Sequence, residues 1–430
     1  MNKNKTIDSI TIGFALFAMF FGAGNLIFPP YLGWQSGSNW FTGFLCYIFI
    51  DIGMGFLAMI AIAKSGKGSE GITEKLGPKI SFILISLTSL CIGPFIAVPR
   101  IASITYEIGI VPNLGELNKS LCITVFFIIV WLLSIFQSKV VDIVGKVLAP
   151  IMFIALLIMV IKGIATPLGD IRANHDVAKV IQKGLLSGYQ TMDMMAAVIF
   201  SITIISSIKQ KGYSSQKQQL SLIIAGGCIA TALLFVVYGG LTYIGASESM
   251  NLRKAMTQSE LLIMVTKALM ANGGLILLGI IVTIACLTTA IGLLTSISEF
   301  FAQKLHIRYE IFVTIFTLIS WLIARFETAT IIAIASPVLN IIYPVLIILI
   351  IFGIASDKVS PYVYKFTCAG AFITSVVLEI ESLLKIRFIH NILPLSSLGF
   401  GWIIPAIIFG ILGMIIQNIK HLLFLTASVF

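Results

Sequence analysis

Charge is scarce in this chain. Only 11% of its 430 residues are Asp, Glu, Lys or Arg, against about 25% in a soluble domain. That is too little polar surface to solvate the two or three domains a chain of this length would otherwise form. A cytosolic enzyme and a disordered chain are therefore excluded. Cysteine is sparse as well. Cys46, Cys91, Cys122, Cys228, Cys286 and Cys368 each sit alone inside an apolar run and form no CxxC, which excludes a secreted disulfide scaffold and reads as packing. The four histidines, His175, His306, His390 and His421, make no HExxH or other metal-ligand spacing. No GxxxxGK[ST] sequence occurs, so primary pumping by this chain is not indicated. Gly66-Lys67-Gly68-Ser69-Glu70-Gly71 spells GxGxxG, but no strand precedes it, and it reads as a loop between two apolar runs.

What is abundant is apolar sequence: 58% of the chain, with a mean hydropathy of +1.05. At about 20 residues per membrane helix, roughly 250 apolar residues supply roughly twelve spans. Charged punctuation places them at 8–34, 40–63, 80–109, 120–137, 141–163, 184–208, 218–245, 274–301, 309–325, 329–354, 363–384 and 400–419. The first run is too long for a signal-peptide core and lacks its cleavage pattern. The segment 246–272 carries an apolar stripe too short to span and reads as a helix over the outer mouth. The net charge of +10 is spread in ones to fours, with no basic face for nucleic acid. Short-loop residues such as Lys64, Lys67, Lys139, Lys146, Lys209 and Lys211 gather on the N-terminal side. The positive-inside rule then puts both termini in the cytoplasm.

Two spans are interrupted. In the first, Gly22, Gly24 and Asn25 precede Pro29-Pro30. Proline removes a backbone donor and clashes with the preceding turn. Bare backbone groups cost several kcal/mol each in lipid, so such a break persists where it lines a cavity; the same segment also fits a proline kink. In the sixth, Tyr189, Gln190, Thr191 and Asp193 follow one another closely at membrane depth. Ionisable residues there are costly and usually functional, although an interfacial helix start is the plainer alternative. Gly184 and Gly188 form GxxxG, which by itself signals close helix packing. Interruptions at corresponding places in two halves point to a secondary-transporter site. A faint five-plus-five echo pairs Gly145-Lys146-Val147-Leu148-Ala149-Pro150 with Ser336-Pro337-Val338-Leu339. In the eighth span, Thr288 and Thr289 are adjacent hydroxyls; these bond to their own helix or serve a hard cation.

Together Phe21-Gly22-Ala23-Gly24-Asn25-Leu26-Ile27-Phe28-Pro29-Pro30, Gly188-Tyr189-Gln190-Thr191-Met192-Asp193 and Ala285-Cys286-Leu287-Thr288-Thr289-Ala290-Ile291-Gly292-Leu293 resemble the bacterial branched-chain amino acid:cation symporters, of the amino acid–polyamine–organocation superfamily. The resemblance runs over nearly the whole chain. It implies an all-α polytopic membrane protein of about twelve helices with the leucine-transporter fold. Residues 1–163 would form one inverted repeat, 164–354 the second, and 355–430 two peripheral spans. It implies uptake of leucine, isoleucine and valine across the cytoplasmic membrane, coupled to Na+, with no organic cofactor, no obligatory protein partner and no catalysis. Its partners would be the amino acid and the bilayer.

The resemblance also assigns roles. Ala23, Gly24 and Asn25 would take the substrate carboxylate at a helix N-terminus, where free N–H groups and the helix dipole favour an anion. Carbonyls around Tyr189, Gln190, Thr191 and Met192 would take the amino group. The Ala18, Phe21 and Ala285 carbonyls with the Thr288 and Thr289 hydroxyls would hold Na+, and Asn25 matches one ligand of a second ion. Asp193 has no counterpart in the simplest member of the fold; it would support the amine or ion, or relay a proton. Asp51, Glu107 and Arg100 read as structural ion pairs. Phe95, Ile96 and Met192 would wall an apolar side-chain pocket. Other readings remain: proton coupling, a related amino acid, a channel, or a membrane-embedded enzyme using Asp51, Glu107 or Asp193.

Overall fold

The computed structural model describes residues 5–66, 68–135, 149–251, 256–355 and 359–427. Lys3, Lys67, Lys139, Lys146, Arg253, Lys254 and Lys358 lie outside these residues, as does the Gly145–Leu148 part of the repeat echo. Among the described residues every regular element is helical.

The first expected span is two helices, α1 (Lys5–Phe20) and α2 (Ala23–Ser36). The second is α3 (Trp40–Ile48) and α4 (Met54–Ser65), joined through a π-helical turn at Phe49–Gly53. The third is α5 (Pro78–Leu90), a π turn at Cys91–Phe95, α6 (Ala97–Ile104), another π turn at Thr105–Ile110 and α7 (Val111–Leu114). Then come α8 (Lys119–Ile135) and α9 (Ala149–Ala165). The sixth span is again divided, into α10 (Val177–Thr191) and α11 (Asp193–Gln210). The rest are α12 (Gln216–Ser247), α13 (Gln258–Leu305), α14 (Tyr309–Ile323), α15 (Thr328–Ala355), α16 (Pro361–Leu384), the short α17 (Phe388–Ile392) and α18 (Ile403–Ala427).

Within the described residues each expected span meets one of these helices or a run of them; 136–137 and 141–148, at the edges of the fourth and fifth, lie outside the described residues. Eight helical stretches are long and apolar enough to cross a membrane, and three shorter apolar helices accompany them. Their outer faces are apolar at helical spacing: Ile151, Ile154, Ile158 and Ile161 of α9 are all exposed. In water such a stripe would be a liability; in a bilayer it is the lipid face.

The segment between α12 and the eighth span is helical from Gln258. Its start is fixed by a capping box, in which Thr257 Oγ1 accepts from Glu260 N and Glu260 accepts from Thr257 N. Ala271, at φ 52 and ψ −150, separates this first part of α13 from the eighth span. The short helix expected within 246–272 is thus present from 258, joined directly to its neighbour rather than by a loop.

The interrupted first span leans along α12. Ile12 and Gly13 of α1 meet Gly226 and Ile229 of α12. Further along, a Cβ placed on Gly33 would overlap the Thr242 carbonyl oxygen, and one on Gly245 would overlap the Pro30 carbonyl oxygen. The α2 and α12 backbones therefore touch, as small residues permit between membrane helices. The Gly184–Gly188 pair does the same for α10 against the second span: their added Cβ atoms would press on the Gly43 carbonyl, Cys46 and Ile50.

Candidate functional site

The first break is small and specific. Phe21 N donates to Phe17 O, but Gly22 N donates to Phe20 O. In an unbroken helix Gly22 N would serve Ala18 O instead. Gly22 is extended (φ −104, ψ 177) and α2 restarts at Ala23. The first-turn N–H groups of Ala23 and Gly24 have no intrahelical acceptor. Further on, Pro29 and Pro30 withhold the N–H groups that the Asn25 and Leu26 carbonyls would otherwise receive. The interruption is therefore a true break, not a proline kink.

The second break is a single residue. Met192, fully buried, adopts left-handed angles (φ 66, ψ 16) between α10 and α11. A non-glycine residue there is uncommon and costs energy unless its surroundings hold it. Two bonds do so. On one side, Thr191 Oγ1 donates to Asp51 Oδ1 at 2.5 Å, while also lying 2.7 Å from Gly188 O. On the other, Asn25 Nδ2 donates to Asp193 Oδ2 at 2.7 Å, and it also bonds the Tyr238 hydroxyl at 2.7 Å. The Asp51 and Asp193 carboxyl groups are within interaction range of each other. All five side chains are buried.

Substituting Tyr238 by Phe removes one of the two acceptors of the Asn25 amide. A buried donor left unpaired costs about 1–3 kcal/mol. The melting temperature of purified Tyr238→Phe in detergent is expected to fall accordingly; an unchanged melting curve would show that this hydroxyl does not hold Asn25.

Gln190 lies at the end of α10. Its Nε2 donates to Ser336 Oγ at 2.9 Å, linking the second break to the tenth span. The Tyr189 ring stands 4.4 Å from the Tyr343 ring, centroid to centroid. Thr289 of α13 comes to the first break, its Cγ2 lying 3.8 Å from where a Gly22 Cβ would be. Its Oγ1 is buried with no hydrogen-bond partner. Thr288 Oγ1 instead donates to Ala285 O at 2.9 Å, so those two expected ion ligands bond each other. Phe21 and Ala285 are buried and Ala18 is half-buried.

Four expectations change. Arg100 makes no ion pair with Asp51 or Glu107; its Nη1 donates to Gln190 O at 2.6 Å. Glu107 is held by Ser103, Ser259 and the Thr328 N–H, at 3.2, 2.8 and 2.9 Å, and Asp51 by Thr191. The cause is the kink at Gly93-Pro94, after which α6 turns Arg100 towards the two breaks. Phe95, expected as a pocket wall, is 44% exposed because it falls inside that kinked turn; Ile96 and Met192 are buried. Tyr238 and Ser336 enter the site without having been singled out as members. A hydroxyl inside an apolar run was the available signal, but many such hydroxyls bond their own helix.

Two helices broken side by side and cross-tied through Asn25 and Asp193 define a secondary-transporter architecture. Solved structures share it. A Na+-coupled sialic acid symporter in a substrate-bound outward-open state matches with a TM-score of 0.60 at 12% identity, over 94% of this chain and 88% of that one. The inward-facing conformation of Mhp1 also gives 0.60, at 13% identity over 96% and 91%. This is the leucine-transporter fold. Within it, the chain belongs to the branched-chain amino acid transport protein family, whose sequence model matches residues 5–420. The branched-chain amino acid permease BraB of Bacillus subtilis (strain 168) is 37% identical over 423 residues, 95% of each chain. The protein is a multi-pass membrane transporter, not an enzyme.

Proposed function

We propose that the protein is a symporter importing leucine, isoleucine and valine across the bacterial cytoplasmic membrane, with Na+ as the coupling ion. The observation that carries the reading is the joined pair of breaks. Free N–H groups at the α2 N-terminus suit a carboxylate, which Ala23, Gly24 and Asn25 would receive. The α10 terminus at Tyr189, Gln190, Thr191 and Met192 offers carbonyls to an amino group, with Asp193 adding charge. The substrate class rests on family membership.

Support for the ion comes from Thr289. Its buried, unpartnered Oγ1 stands next to the break, where Ala18 O has lost its helical donor. A hard cation takes such oxygens, so the donor set fits. Phe21 O, Ala285 O and Thr288 would complete it once the Thr288–Ala285 bond opens. In this reading residues 1–163 and 164–354 are the inverted repeats, 355–430 the peripheral spans, and both termini are cytoplasmic, as the Lys and Arg distribution favours.

The test is labelled leucine uptake into proteoliposomes under an imposed Na+ gradient, then under a proton gradient alone. Uptake driven by Na+ and competed by isoleucine and valine is the expected result. Proton-driven uptake would move the coupling role to the adjacent Asp51 and Asp193 carboxyl groups, the observation that favours a second reading, since such groups form proton relays in transporters. Thr289→Ala is expected to raise the Na+ concentration for half-maximal uptake by on the order of tenfold, about 1.4 kcal/mol, without altering the order of leucine, isoleucine and valine. An unchanged Na+ response removes this hydroxyl from the ion site.

A further inference from the structure

Arg100 is unusual for a buried cation. It is 2% exposed, and no carboxylate among the described residues lies within ion-pair distance of it. The nearby carboxylates are otherwise engaged: Asp193 with Asn25, Asp51 with Thr191. Nη1 is used by Gln190 O, and the guanidinium stands 5.7 Å from the Phe28 ring centroid. Nε has no partner. Nη2 lies only 2.9 Å from where a Gly24 Cβ would be, so the guanidinium fills the place of the missing side chain.

Asp193 lies within electrostatic range of the guanidinium but forms no direct ion pair with it, so the charge is only partly balanced. The positive end of α2 and a full positive charge face the same small space. A buried charge requires an opposite partner or its removal. The group that resolves both is an anion bridging them. A planar guanidinium fork with a free Nε matches a carboxylate bidentately. The Gln190 carbonyl that Arg100 now occupies is also one the substrate amine would claim.

We propose that Arg100 is a carboxylate receptor of the substrate site. In the absence of substrate it bridges the two breaks; on binding, the amino acid's ammonium takes Gln190 O and its carboxylate takes the guanidinium together with the Ala23 and Gly24 N–H groups. The inference rests on the proposed amino acid substrate and adds the residue that selects for a free α-carboxylate.

The test compares leucine with leucinol, which keeps the ammonium and side chain but lacks the carboxylate. Binding to the full-length protein in nanodiscs is measured for wild type, Arg100→Gln and Arg100→Lys. Wild type is expected to bind leucine roughly 100-fold or more tightly than leucinol, as loss of a buried charge pair implies. Arg100→Gln should lose that preference, its affinities for leucine and leucinol converging, and Arg100→Lys should restore part of it. Equal loss of both ligands, or undiminished leucine preference, overturns the proposal. A second measurement needs no folded variant at position 100 beyond assignment. The chain has six arginines, and the 15N-labelled Arg100 Nε signal of wild type should shift with leucine and not with leucinol; no shift with leucine overturns the assignment. Wild type that binds neither leucine, isoleucine nor valine would instead sink the substrate reading, and this inference with it.

Discussion

Gly245→Val should yield no folded carrier. The Pro30 carbonyl oxygen lies where the new Cβ would sit, and Thr242 O stands in the same relation to Gly33. Neither obstacle is the tip of a flexible side chain; both are helix backbone. Ordinary overpacking of a core costs about 1–3 kcal/mol, because side chains can rearrange. Here α2 or α12 must move as a body, and α2 carries Asn25, whose amide ties the two breaks together. Separating the helices would break the Asn25–Tyr238 bond and open a gap beneath it. The expected result is loss of the monodisperse peak of a fluorescent fusion on size-exclusion chromatography. Gly273→Val is the control, since nothing lies within 4 Å of its added Cβ; it should elute like wild type. A monodisperse Gly245→Val protein with normal uptake would show that the two helices do not pack in this contact.

Gly24→Leu should fold and fail to transport. Its Cβ would press on Arg100 Nη2 at 2.9 Å and make ordinary contact with Phe28 Cε2 at 3.7 Å. The arginine is a long side chain and can retreat, so the fold survives. The remaining leucine branch then covers the α2 N-terminus, and no carboxylate reaches the Ala23 and Gly24 N–H groups. Leucine uptake is expected to drop by at least about 100-fold, or about 2.7 kcal/mol, with little change in melting temperature. Gly24→Ala, with a single methyl at the same point, should show an intermediate loss. Normal uptake by Gly24→Leu would remove the carboxylate from this helix end.

Much of the architecture was legible because hydrophobicity along a chain is a local property. Span limits, the glycine–proline break in the first helix and the polar cluster in the sixth are all written in consecutive residues. What was not legible is which side chains meet. Thr288 and Thr289 differ by one position, about 100° around a helix, yet one bonds its own backbone and the other reaches the break. No pattern in Ala285–Ala290 separates them. Arg100 looked like half of an ion pair because Asp51 and Glu107 are carboxylates inside or near the apolar spans. Its actual partner is a backbone carbonyl 90 residues away, reached because Gly93-Pro94 redirects the helix. The Asn25–Tyr238 bond spans 213 residues, a pairing fixed by how α12 lies along the first span.

The one-residue width of the second break makes this stretch intolerant of length change. Thr191 is anchored to Asp51 and Asp193 to Asn25, with only Met192 between them. Inserting a single residue there would turn α11 by about 100° and advance it by about 1.5 Å. Asp193 would then point away from Asn25, although every residue of the site would still be in place. The turn after α11 carries the exposed Gly212 and Ser214, the kind of positions where added length is ordinarily absorbed. Descendants of this sequence can therefore gain or lose residues between helices, while the count from Thr191 to Asp193 stays fixed by rotation alone.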